Sequence, residues 1–143
     1  MSDNYWESVT YSEAPLAALE RQDASVVFEW VQEHLPIAGS KIDWTRVQGK
    51  HDHWKFDNHE QLDAKAIEEI CKRVQQDSIV EHVGDGLSPV GVLFGESSVA
   101  AIVGALLEIP EHHYFLASDR SWIVVVTTEG DLDILERGAE RID

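Results

Sequence analysis

Residues 112–136 read HHYFLASDRSWIVVVTTEGDLDILE. Within them, Ser121 to Thr128 is a continuous run rich in β-branched residues. Such a run suits a strand buried on both faces, so this segment is predicted to be the central strand of a sheet. His112 to Ala117 reads as the strand before it, and Leu132 to Glu136 as the strand after it. Ser118-Asp119-Arg120 and Glu129-Gly130-Asp131 supply the turns. Links this short impose antiparallel pairing.

Moving upstream, Ser78 to Val83 and Pro89 to Phe94 are further strand candidates. Gly84-Asp85-Gly86 turns between them, because glycine takes positive φ without steric cost. Glu96 to Leu107 returns to helical spacing, with Val99, Ile102, Val103, Leu106 and Leu107 on one face. Gly104 inside this helix costs about 1 kcal/mol against alanine, which suggests close packing there. Pro110 ends the helix.

The first half carries helical signals. Asp23 or Ser25 can cap a helix reaching about Leu35, with Val27, Trp30, Val31 and Leu35 on one face. Pro36 and Gly39 stop it. Residues 37–57 hold Ile42, Trp44, Val47, Trp54 and Phe56 without a clean period, as expected of an irregular but packed connection. A second helix is expected from His59 to Gln76, capped by Asn58 with Gln61 three residues on. Leu62, Ala66, Ile70 and Val74 form its apolar stripe, widened by Ile67 and Cys71. Before residue 20 the signals are weak; Tyr5, Trp6, Val9 and Tyr11 suit a short strand or a packed arm. The expected fold is one α+β domain over residues 1–143. It comprises a helical N-terminal half, then an antiparallel sheet of about four to five strands with one inserted helix packed on it.

Composition narrows the function classes. The chain has 143 residues and a formal net charge of −16. Its single cysteine, Cys71, excludes an internal disulfide. The start, Met-Ser-Asp-Asn-Tyr-Trp, lacks the basic and apolar regions of a signal peptide. The longest apolar stretch, Val99 to Ile109, is about half of the roughly 20 residues a membrane span needs. A cytosolic protein is expected, with neither membrane nor nucleic acid as partner, since phosphate binding needs a basic footprint. From Ser78 to Glu136 the only Lys or Arg is Arg120. Acids there have almost no cation nearby in the chain, and a field of one sign steers cationic partners.

Catalytic signatures are sparse. Cys71 is expected on an apolar helix face, where a thiol is inert. There is no Gly-x-Ser-x-Gly elbow and no phosphate loop. His51, His53 and His59, near Asp52 and Asp57, are the one candidate metal cluster, because an extended segment puts His51 and His53 on the same face. No cysteine or His-Glu-x-x-His helix assists, and Lys50 and Lys55 flank the group. His112 and His113 alternate across a strand and cannot chelate one ion together; one is expected buried and hydrogen-bonded. Asp131 and Asp133 share a strand face and are expected to be solvated.

The stretch Glu108-Ile109-Pro110-Glu111-His112-His113-Tyr114-Phe115, with Ser121-Trp122 and Thr128-Glu129-Gly130-Asp131-Leu132-Asp133, resembles the C-terminal part of small acidic immunity proteins. These belong to bacterial contact-dependent growth inhibition and related polymorphic toxin systems. Ser40-Lys41-Ile42-Asp43-Trp44 adds a fainter similarity. The resemblance implies a cytosolic inhibitor without catalysis or cofactor, which neutralises a basic toxin domain, often a nuclease, by tight binding. The candidate partner-binding residues are the acids at turns and strand ends: Asp85, Glu111, Asp119, Glu129, Asp131 and Asp133. The competing expectation is a small metal-dependent hydrolase using His51, His53 and His59.

Overall fold

A computed structural model describes residues 5–39, 41–75 and 78–137. Inside its main sheet, β8 (Trp122–Val126) is buried at every position. Trp122, Val124 and Val126 enter one core, while Ile123 and Val125 enter another on the opposite face. The β-branched run has no polar alternation because both of its faces are covered. Antiparallel hairpins join β7 (His113–Ala117) to β8 and β8 to β9 (Asp131–Glu136). Another hairpin joins β5 (Val80–Gly84) to β6 (Gly91–Phe94), and β5 also pairs with β7.

The sheet is larger than the sequence suggests, and the first half contributes to it. β1 (Glu20–Gln22) pairs with β6 at one edge, and β4 (Lys50–Lys55) pairs with β9 at the other. Among the described residues the order is β1-β6-β5-β7-β8-β9-β4, a seven-stranded antiparallel sheet. The expectation of a helical first half followed by four to five strands is therefore wrong. An edge strand leaves part of its backbone and side chains to solvent, so it needs little apolar patterning. Glu20-Arg21-Gln22 has none, and in Lys50–Lys55 only Trp54 is apolar. The two strands were hidden for that reason.

Helices cover both faces. α3 (His59–Arg73) and α4 (Val99–Leu107) lie on one, burying Leu62, Ala66 and Ile70 with Ile102, Val103 and Leu106. The Asn58 side chain accepts from Gln61 N at 3.1 Å and starts α3. α3 closes at Arg73, with Val74 as its cap; the expected end, Gln76, lies outside the described residues. Cys71 is exposed rather than on the apolar face, because it lies one helical step past Ile70 and off the stripe. A Cβ on Gly104 would meet only Ile67 Cδ1 at 3.9 Å, so close packing does not demand that glycine.

α2 (Ser25–His34) covers the opposite face with Val27 and Val31. A small hairpin of β2 (Ile37–Ala38) and β3 (Lys41–Ile42) extends this cover, with Trp44 and Val47 packed beside it. The expected irregular connection over 37–57 thus contains three short strands. Near the N-terminus, α1 (Tyr5–Val9) is helical, and Tyr11 and Leu16 behind it are fully buried.

Candidate functional site

The six acids singled out by sequence do not form one surface. Asp85 sits exposed in the β5–β6 turn, and Glu129 sits exposed in the β8–β9 turn. His112 links them: its Nδ1 lies 3.4 Å from Asp85 Oδ2, and its Nε2 lies 3.4 Å from Glu129 Oε2. Backbone bonds fix the Asp85 turn further. Asp85 N donates to His112 O, and His112 N donates to Asp85 Oδ1, each at 3.1 Å. The Glu129 carboxyl is held below its ordinary range, first by the Thr128 hydroxyl and then by His112 and Lys41.

Asp131 and Asp133 continue from Glu129 along β9. Across the β4–β9 ladder, His53 Nε2 lies 2.9 Å from Asp131 Oδ1, and His51 Nε2 lies 2.8 Å from Asp133 Oδ1. Alternation along each strand puts all four side chains on one sheet face. The ring of His51 also stacks on Trp44, centroids 4.8 Å apart. Solvation was the wrong expectation for Asp133, which is only 4% exposed. Burial raises its carboxyl pKa, and the His51 bond only partly offsets that. Burial works the same way on Asp131, but His53 and Lys55 outweigh it and leave that carboxyl lowered.

Glu111 faces inward. Its carboxylate accepts from Gly86 N at 2.9 Å, from Leu87 N, and from Ser88 N at 3.1 Å, with the Ser88 hydroxyl as a further donor. It serves as a built-in anion for the amide-lined loop that presents Asp85. A side chain on Gly84 would overlap this carboxylate, so the glycine leaves it room. Asp119 is exposed and accepts from Ser121 N at 2.9 Å in the β7–β8 turn. The five residues of β8 separate it from Glu129, a span of about 17 Å.

The structure thus gathers Asp85, Glu129, Asp131 and Asp133 toward one corner, puts Glu111 beneath it and leaves Asp119 at the far end. Sequence reasoning missed Lys41, Lys55, His51, His53 and His112 as partners of these acids. Lys41 Nζ lies 3.4 Å from Glu129 Oε1, and Lys55 Nζ lies 3.4 Å from Asp131 Oδ2. These partners, His112 apart, come from the first half of the chain, so only the β4–β9 pairing and the β2–β3 hairpin bring them close. Arg120 does not join the surface. It is buried, donates to Glu81 Oε2 at 2.7 Å, and lies over the Trp30 ring.

Among the described residues, no group of three His, Cys, Asp or Glu side chains is placed to hold a metal ion. His51 and His53 point at separate aspartates, and His59 begins α3. Behind the sheet lies a second imidazole pair. His82 Nε2 is 2.9 Å from His113 Nδ1, and His113 Nε2 is 2.7 Å from Ile109 O. A carbonyl only accepts, so His113 Nε2 carries a hydrogen and its Nδ1 accepts from His82. His82 Nδ1 is then a buried acceptor without a hydrogen-bond partner among the described residues. Burial lowers the pKa of both rings, keeping them neutral.

Among the described residues no helix is long and apolar enough to cross a membrane. Comparison with family models, with curated proteins and with solved structures found no match.

Proposed function

We propose that this protein is an immunity protein that binds and neutralises a basic toxin domain in the cytoplasm, without catalysis. One observation carries the reading. From Ser78 to Glu136 the single Lys or Arg, Arg120, is consumed inside the fold by Glu81, whereas Asp85, Asp119 and Glu129 stand exposed. The surface of this segment, residues 78–136, presents carboxylates and no arginine or lysine of its own. A surface of that kind suits a cleft built for phosphates, such as that of a nuclease, and speeds capture of a positively charged protein. The resemblance of residues 108–115 and 128–133 to immunity proteins supports the same reading. Asp85, Glu129 and Asp131 are the contacts; Glu111 and Asp133 hold the turn and the strand that present them.

The test is the association rate with the toxin domain encoded by the neighbouring gene. Reversing both charges, Asp85→Lys with Glu129→Lys, should slow association about tenfold at low salt and flatten its salt dependence. Unchanged kinetics would remove these residues from the interface. A wild-type protein that leaves the toxin active would overturn the function itself.

A further inference from the structure

Between α2, the β2–β3 hairpin and the Asp85 turn lies a cleft of about 480 Å³. This is within the roughly 300–1,000 Å³ of sites that enclose an organic group. Its walls are Phe28, Ile37, Ile42 and Tyr114, with Gln32 and Asp85 at its mouth. Phe28 and Tyr114 meet edge to face with centroids 5.5 Å apart, which fixes the apolar floor. Among the described residues lining it, Asp85 is the charged one. The position of Asp85 is set in advance by the paired bonds to His112 and by the Glu111 carboxylate beneath the turn. Glu29 and Glu33 on α2 are exposed as well, so the approach from that helix is acidic. The nearest lysine of the hairpin, Lys41, is engaged with Glu129.

We propose that this cleft is the anchor site for the protein partner, taking an apolar side chain into the Phe28–Tyr114 floor and the adjacent Lys or Arg onto Asp85. Rigid apolar pockets with a buried anchor carry most of the affinity in protein interfaces, and rim charges set the rate and the choice of partner. The partner's identity as a toxin rests on the function proposed above; the recognition chemistry rests on the cleft alone. An anionic ligand is disfavoured, because Asp85 meets it at the mouth.

Two measurements separate these claims. In the first, the isotopically labelled protein is titrated with acetyl-Leu-Arg-amide and, separately, acetyl-Leu-Glu-amide at millimolar concentration. The arginine peptide should shift the amide resonances of residues 28, 32, 37, 85 and 114, the glutamate peptide should not, and Gln32→Lys should abolish the response. Equal responses to both peptides, or none in the cleft, overturn the proposal. In the second, the toxin domain is bound to Gln32→Lys and to Asp85→Asn, the latter keeping an acceptor for His112 N. Each should raise Kd about tenfold, against less than about threefold for Glu96→Lys, an exposed acid away from the cleft. Toxin binding indifferent to both cleft variants overturns the anchor site and leaves the immunity function standing. A positive peptide response with no toxin binding overturns the immunity function and leaves the cleft as a cation-selective apolar site.

Discussion

Glu111 shows how a charge on a single residue is used inside the fold. The turn after β5 offers successive amides to one carboxylate, and no cation is needed to hold it there. Glu111→Ala leaves those amides without their acceptor and should cost about 2–4 kcal/mol in urea unfolding. Glu111→Gln keeps an acceptor and should cost less. A loss below about 0.5 kcal/mol for the alanine variant would mean that water replaces the carboxylate at no expense. Sequence did mark Glu111, as an acid at a strand end in a segment with almost no lysine or arginine, but as a partner-binding residue. What it could not provide was the direction of the side chain, which depends on the β5–β6 turn 23 to 25 residues away.

At the scale of elements, the strands with both faces covered were legible and the edges were not. β8 announces itself because five successive buried positions need five apolar residues. β4 buries only part of its surface, and its side chains bond diagonally across the ladder, His51 with Asp133 and His53 with Asp131, residues that look like loop residues in the chain. The buried histidine pair joins β5 to β7 and yields a pH prediction. Both rings titrate lower in the fold than in the unfolded chain. The unfolded state therefore binds more protons, and stability is full above about pH 6.5 and falls below it. Each ring contributes a slope of up to about 1.4 kcal/mol per pH unit until its own folded pKa is reached. Urea unfolding across this range should show that loss, and His82→Leu with His113→Leu should flatten it. Equal slopes in both proteins would assign acid sensitivity elsewhere. Glu69 is one alternative source at lower pH. Burial would raise its carboxyl, but Lys65, Arg73 and Lys72 pull it down to about 2, so its contribution persists to pH 4.5 and is lost below that.

For the whole molecule, the governing quantity is the net charge of −16. Exposed acids repel one another across the surface, and mobile cations screen that repulsion. Raising sodium chloride from low salt to about 0.15 M should therefore raise the urea midpoint while weakening capture of a basic partner. A midpoint that falls with salt would show that the ion pairs of β4 and α3 outweigh the repulsion. Composition set this charge and the lack of a disulfide, and local residue order set the hairpins of residues 113–136 and the apolar faces of α2, α3 and α4, because those depend on neighbours a few residues apart. The tertiary structure alone decided the seven-stranded sheet, the lysines and histidines that meet Glu129, Asp131 and Asp133, the inward turn of Glu111 and the cleft beside Asp85. Each of those joins segments distant in sequence, and local periodicity carries no information about which distant edge a polar strand will pair with.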